Sequence, residues 1–515
     1  IPALALFYGG LVRSKNVLST LMHSVFCAGL ISVTWVVYGY SIAFGEDIGG
    51  LIGWDPNLIG LKGLLGTRSE LAPTVPQLVF VAFQMTFAII TPALISGAFA
   101  ERIRFPAFAA LTLLWSTLIY LPLCHWVWGG GWIGTKIGAL DFAGGTVVHI
   151  SSGISALVTA IYLGKRLGYG HEPMAPHNLP FTVIGAAMLW VGWFGFNAGS
   201  ALGANDIAAI AFINTNSAAA AAMLGWLIVE WLRTGKPTIL GAASGAVAGL
   251  VVITPAAGFV TPLGSIVMGL IGGAVCYAAV SLKPRLGYDD ALDVVGVHMV
   301  GGTLGAILTG VFASTAVNDA IPGLALTDGL TGGLLHGGGF TLLKAQVIAT
   351  VATYAFCGIG TLLILVVVDA LFKLRASEEE EIPGLDLSQH SERGYHIGSS
   401  EAVAIVASPE PRPASIPPIS WDRFTVAVEG LDPNQLAAYW RTLCQDNGPA
   451  PSPAFKSVYA HVSTIRGNRF RFRGGDPEAM RASLEQIFRA VSPAVRATVE
   501  RVEGASSKLA AVTAS

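Results

Sequence analysis

Two histidines, His149 and His298, stand inside apolar runs whose interiors carry no other ionisable side chain. Such a group is costly away from water and is a functional candidate by default. A neutral imidazole offers one donor and one acceptor and titrates near neutrality, so two facing rings can hydrogen-bond a small polar molecule or pass a proton. A plainer role also fits, with each neutral ring satisfied by a backbone carbonyl. A zinc or copper centre fits poorly, because no third Cys, His or carboxylate stands at ligand spacing. His23 and His125 fall near the ends of apolar runs, and His171, His177 and His336 fall in loops, so solvated or interfacial positions suit all five. Cys27, Cys124, Cys276, Cys357 and Cys444 have neither metal nor disulfide spacing and read as packing residues. There is no Walker loop, Ser-His-Asp arrangement or Cys-x-x-Cys motif, so no enzyme, cofactor or metal is expected. The string Val37 to Tyr40 resembles a potassium filter but lies inside a continuous apolar run rather than a re-entrant loop.

The elements that must carry these histidines are membrane spans. Only 12% of the 515 residues are charged while 53% are hydrophobic, against about 25% charged in a usual soluble domain. The charge is uneven: residues 1–375 are about 8% charged and the remainder about 22%. Apolar runs recur at 2–11, 17–44, 76–100, 105–124, 145–163, 181–202, 207–232, 238–254, 260–282, 292–312 and 345–372, which predicts eleven helices. The first run is too short to span hydrocarbon, which suggests that part of its helix lies outside the sequence given. Twelve Lys or Arg collect on one side of these runs and four on the other. The positive-inside bias then puts the N-terminus outside and the C-terminus in the cytoplasm, in a plasma (inner) membrane. With a net charge of −2 and no basic cluster, nucleic acid is not an expected partner.

Glycines at four-residue spacing, Gly241-Gly245-Gly249 and Gly195-Gly199-Gly203, predict close helix packing. The fifth and tenth runs echo one another, Val148-His149 before Gly153 and Val297-His298 before Gly301-Gly302, with Asp141 and Asp293 upstream. Five runs separate them, so two five-helix halves would run in opposite directions as an inverted repeat. After the spans, 376–400 is a cytoplasmic tail whose Glu378 to Glu381 read as a solvated stretch. Residues 401–420 are a Pro-rich linker. Residues 421–503 have a βαββαβ pattern, with strands at Phe424 to Glu429, Val458 to Val462, Phe470 to Phe472 and Arg496 to Val502. Helices begin at Asp432-Pro433, with Leu436, Tyr439, Trp440 and Leu443 on one face, and at Asp476-Pro477, with Met480, Leu484, Ile487, Phe488 and Val491 inward. That order predicts a small ferredoxin-like α+β domain. Arg469, Arg471 and Arg473 would share one face of its hairpin. Residues 504–515 read as a disordered end.

Longer strings carry a resemblance. FYGGLVRSKN (7–16), GAFAERIRF (97–105), WGGG (128–131), DFAGGTVVHISSG (141–153), GWFGFNAGSA (192–201), DVVGVH (293–298) and GLDLSQHSERGYH (384–396) are similar to the ammonium transporters of the Amt/Mep/Rh family, on the Amt side because Trp128 is present. The resemblance implies an all-α polytopic bundle of eleven helices over 1–375, a homotrimer, one pore per subunit, and ammonium or ammonia as substrate. It further implies recruitment by Phe83, Trp128 and Ser200, a gate of Phe87 and Phe196, a pore lined by His149 and His298, and support from Asp141. A PII-type regulator docks on the cytoplasmic face in this family. Each residue keeps a structural reading: Phe83 and Phe87 as core neighbours, Trp128 as an interfacial anchor, Ser200 bonded to its own helix, Asp141 as an N-cap.

Physical chemistry says why such residues would suit such a substrate. Removing an ammonium ion from water has an idealised cost of order 20 kcal/mol, several kcal/mol after relaxation. A desolvated cation-π contact returns about 2 kcal/mol and a charged hydrogen bond about 1.5 to 3 kcal/mol. Such a rim holds the ion without carrying it deep, and low dielectric beneath favours neutral ammonia. Potassium has no proton to lose and would be excluded by chemistry. A receptor that binds ammonium and signals through the C-terminal region is the second reading.

Overall fold

The computed structural model describes residues 1–320, 330–395, 423–443, 453–466, 468–473, 476–489 and 491–501. The chain divides into two units, Ile1–Ser400 and Glu401–Ser515. The expected linker and the expected disordered end lie outside the described residues.

In hydrocarbon every backbone N–H and C=O must be satisfied within the segment, so long apolar runs become helices. The first unit contains α1 (Pro2–Leu11), α2 (Ser14–Phe44), α3 (Gln77–Phe99), α4 (Phe105–Ile137), α5 (Gly145–Leu163), α6 (Leu179–Ala198), α7 (Asp206–Thr234), α8 (Ile239–Ile253), α9 (Pro262–Leu286), α10 (Val295–Phe312) and α11 (Thr341–Phe372). Among the described residues nine are long and apolar enough to cross a membrane, and α1 and α8 are shorter. Polar side chains start several of them: Asn205 accepts from the Ala208 N–H, Thr238 from Gly241 and Thr261 from Gly264.

Of the two glycine rows, one packs as the spacing predicts. A Cβ at Gly249 would lie 2.5 Å from the Ala218 carbonyl oxygen, and one at Gly245 would lie 2.7 Å from the Trp226 Cβ, so α8 lies tight against α7. The other row does not, because Gly195 borders open space and only Gly199 abuts a large side chain, the Phe83 ring.

Helices α5 and α10 run antiparallel through the centre. Gln346 donates to the carbonyls of Leu140, just before α5, and of Ala306, late in α10. At the opposite end Arg166, just after α5, donates at 2.9 Å from Nε and Nη2 to the two carboxylate oxygens of Asp289, just before α10. Arg166 also reaches Glu101 at 3.2 Å, which Arg13 pairs at 2.8 Å. Burial pushes the Glu101 carboxyl up, but Arg166 and Arg13 offset this and hold it below the ordinary range.

The echo between the two helices has a partner different from the expected one. Asp290, not Asp293, is the counterpart of Asp141, since each stands eight residues before its histidine. Asp141 accepts the N–H groups of Gly144, Gly145, Thr146 and Val147, and Asp290 accepts that of Val295, each at its helix start. Asp293 instead pairs with Lys283 at 2.5 Å.

The acidic run is exposed at Glu378 and Glu379, as expected, but docked in its second half. Glu381 is buried and pairs with Arg375 at 2.7 Å, and Glu380 pairs with Arg104 at 3.1 Å. Asp386 accepts the N–H groups of Leu18 and Ser19 at the start of α2, a favourable place for a carboxylate.

The second unit has strands β1 (Arg423–Glu429), β2 (Val462–Arg466), β3 (Arg469–Arg473) and β4 (Arg496–Arg501), paired antiparallel in the order β2-β3-β1-β4. Its helices span Pro433–Leu443, Pro453–His461 and Pro477–Arg489. The middle one corrects the strand expected from Val458: that residue is buried on a helix, and the strand begins at Val462. Leu436, Trp440, Val458, Leu484 and Phe488 pack with Val426, Val428, Phe470 and Phe472 in one core, while Val491, expected inward, is 40% exposed.

Candidate functional site

Five helices bring the candidate residues together, Phe83 and Phe87 from α3 and Trp128 from α4 among them, and the other three each carry a key residue on a π-helical stretch: Gly145–Ile150 with His149, Phe194–Ala198 with Phe196, and Val295–Met299 with His298. The extra residue per turn swells the helix locally, a feature frequent at functional sites. The imidazoles meet, Nδ1 to Nδ1 at 3.2 Å, with ring centres 5.3 Å apart. Both are buried. A glycine four residues past each histidine permits this approach. A Cβ at Gly153 would fall 2.3 Å from the Met299 nitrogen, and one at Gly302 would fall 2.9 Å from the His149 Cβ.

Aromatic rings lead outward from the pair. Phe196 stacks on His149 at 6.1 Å, Phe87 meets Phe196 at 4.6 Å, and Trp128 meets Phe87 edge-on at 5.4 Å. Phe83 stands 4.9 Å from Phe87. Phe83, Phe87, Trp128, Asp141 and Ser200 line a common cavity. The backbone carbonyl of Asp141 accepts the Trp128 indole N–H at 2.8 Å, so one residue both caps α5 and holds the indole. Ser200 donates to the Phe196 carbonyl at 2.9 Å, the bond back to its own helix that its residue type allows. At the other end a second cavity reaches His298 past Val297, Tyr277, Lys283 and Asp293.

Sequence reading missed Gln84. It lines this cavity one residue from Phe83, is buried, and its Oε1 has no hydrogen-bond partner among the described residues. A buried amide within an apolar helix was the available signal. The readings of His23 and His125 are corrected, since neither is solvated. His125 is fully buried with its ring nitrogens on the Ala43 carbonyl and Asp47, and His23 lies against Phe108, ring centres 4.3 Å apart.

The Ammonium Transporter Family matches residues 1–395. The chain belongs to the ammonium transporter family. An ammonium transporter of Bacillus subtilis is 54% identical over 76% of this chain and 94% of its own length. Ammonium transporter Amt1 of Archaeoglobus fulgidus is 45% identical, covering 77% and 95%. The solved structure of Mep2 from Candida albicans aligns with a TM-score of 0.67 and 37% identity, over 74% of this chain and 83% of that one. A structure described as a sensor Amt protein aligns with a TM-score of 0.67 at 29% identity, over 75% and 93%. As a member of the ammonium transporter family the chain is a membrane protein, and the family match ends where the described part of the tail ends.

Proposed function

We propose that this chain carries ammonium across the membrane by binding the ion at the outer cavity, where it gives up its proton to solvent water, and passing the neutral ammonia left behind between His149 and His298. The observation that carries this reading is the 3.2 Å contact between the two Nδ1 atoms. With one N–H and one lone pair on each neutral ring, the bridge fixes the tautomers: the ring that donates at Nδ1 keeps an acceptor at Nε2, and the other keeps a donor there. The pair thereby offers ammonia one acceptor and one donor, while the His149 Nε2 has no protein partner.

Phe83 and Trp128 supply ring faces for the cation, Ser200 an oxygen, and Gln84 a second oxygen deeper in the same cavity. Phe87 and Phe196 close the way below them. These contacts can offset the several kcal/mol of desolvation at the cavity, but the apolar passage beyond the two rings offers the ion no such set, so deprotonation precedes passage. Asp141 acts through the helix start and the indole it holds. The N-terminus faces outward, the tail and second unit face the cytoplasm, and the assembly is a homotrimer with a PII-type regulator as a family partner. The second unit is of ferredoxin-like type.

Uptake and current in reconstituted vesicles test the reading. His149→Ala or His298→Ala is expected to abolish ammonium flux or to admit potassium; unchanged uptake with potassium still excluded overturns it. The likeness to a sensor Amt protein, together with the additional second unit, favours a sensing role as the second reading. Ammonium binding without permeation in the same vesicles selects it.

A further inference from the structure

Trp193 ends the α-helical part of α6, one residue before the π-helical stretch that carries Phe196. Its indole lies nearly parallel to the His149 imidazole, at 18° with ring centres 5.6 Å apart, and His298 lies on His149 at 24°. The indole is buried and lines a cavity that reaches both histidines. An indole has one donor and no acceptor. That donor is taken: the N–H donates to the Thr254 hydroxyl oxygen at 2.9 Å, and Thr254 donates its own O–H to the Leu250 carbonyl at 2.7 Å. The ring therefore offers the cavity an apolar surface and no free hydrogen-bonding group.

Thr254 directly follows α8, and the turn it opens also meets both histidine helices. The next residue, Pro255, fills the space beside Gly145, where a Cβ would fall 2.5 Å from the proline Cβ, and its carbonyl accepts the Phe142 N–H at 3.1 Å. Gly145 stands one turn before His149 in α5. On the other side Gly305 of α10 backs onto the Val252 carbonyl and Pro255. One short turn thus fixes the indole, the His149 helix and the His298 helix relative to one another.

We infer that Trp193, set by Thr254, is a positioning residue for the ammonia step. It holds the face of the His149 ring, so that the Nδ1 bridge to His298 persists and the unpartnered Nε2 keeps one direction. The bridge alone fixes one point of the imidazole and leaves rotation about that point; a flat neighbour removes this freedom. The inference rests on the histidine pair being the ammonia passage. Neither Trp193 nor Thr254 lines the cavity of Trp128 and Ser200, so ion binding there stays as it is.

The test is ammonium uptake per folded protein in reconstituted vesicles. Thr254→Val keeps the shape and removes the acceptor, and is expected to lower maximal uptake about tenfold at unchanged half-saturating ammonium. Thr254→Ser is expected to restore it, and Trp193→Phe, which keeps a ring, to retain more flux than Trp193→Leu. Proton NMR of the same proteins reads the bridge. The far-downfield Nδ1–H signal that His298→Ala removes should persist in Trp193→Phe and vanish in Trp193→Leu. Unchanged uptake per folded protein in Thr254→Val and Trp193→Leu, an effect on half-saturation alone, or a bridge signal intact in Trp193→Leu would each overturn the positioning role. His298→Ala alongside separates the two readings: selective uptake unchanged there removes the histidine passage itself, whereas uptake lost there but normal in Thr254→Val and Trp193→Leu removes only the role of Trp193.

Discussion

The two histidine helices are built alike and finished differently. In each, an aspartate eight residues before the histidine receives the helix start, and a glycine four residues after it lets the other helix in. Their ends are held by opposite means. Neutral amide bonds from Gln346 tie the ends beside the aromatic cavity, while Arg166, Glu101, Asp289 and Arg13 form a buried ionic knot at the opposite ends. The caps differ too: Asp141 accepts four N–H groups, whereas the Oδ1 of Asp290 has no hydrogen-bond partner. A repeated sequence device thus fixes the crossing of the helices, and the surroundings decide how firmly each end is held.

The ionic knot is the place to break this comparison hardest. Arg166→Leu leaves Glu101 and Asp289 buried with fewer cations, and removing one member of a buried ion pair costs about 3 to 5 kcal/mol. Thermal unfolding in detergent should show this loss, with a smaller one, about 1 to 3 kcal/mol, for Gln346→Leu at the other end. Equal losses at the two ends would show that the ionic tie is no stronger than the neutral one.

The caps come next. Burial, with Asp293 nearby and Lys283 opposing, raises the Asp290 carboxyl from 3.8 to about 6. Its contribution to stability is therefore present below its unfolded value and lost as pH rises through about 6, a swing of about 3 kcal/mol at the most. Asp290→Asn mimics the protonated form, so the variant should match the parent near pH 4 and exceed its stability near pH 7. Asp141→Asn should lose stability at both, because one amide oxygen cannot replace two carboxylate oxygens for four donors. Parallel behaviour of the two variants across this pH range would erase the distinction between the caps.

The spans were legible because hydrocarbon permits few solutions for a run of apolar residues. The span positions hold within a few residues, except that the helix of α4 continues past Cys124 to Trp128, where Gly129 to Gly131 break it before a short π-helical turn at Ile133–Ile137. The rows of glycine were legible in part, as spacing alone does not say whether a neighbour exists: Gly249 has one and Gly195 does not. Local sequence could not supply the π-helical turns under His149, Phe196 and His298, which depend on what packs against each helix. It could not separate Asp290 from Asp293 either, because both precede the same helix and only the hydrogen bond to Val295 distinguishes them. The second half of the acidic run was misjudged for a related reason. Glu380 and Glu381 look solvated until Arg104 and Arg375, distant or hidden in sequence, are brought beside them. In the second unit the alternation through Val458, Ala460 and Val462 fitted a strand, yet a buried helix face used Val458 first.

The glycines give the finest comparison and the smallest expected change in stability. At Gly153 an added methyl group would press on the backbone nitrogen and Cα of Met299, which cannot turn aside. At Gly302 the nearest atom is the His149 Cβ at 2.9 Å, with the Gly145 carbonyl oxygen and Ile150 nitrogen at 3.1 Å, so a shift of a few tenths of an ångström relieves it. Overpacking of this kind costs about 1 to 3 kcal/mol. Gly153→Ala is expected at the upper end and Gly302→Ala at the lower. Flux should order the same way, because moving α10 off α5 lengthens the Nδ1 contact that fixes both tautomers. Equal flux in the two variants, with the Gly153→Ala protein folded and the imidazoles still bridged, would mean that the glycines serve packing alone and that the histidine contact is held from elsewhere.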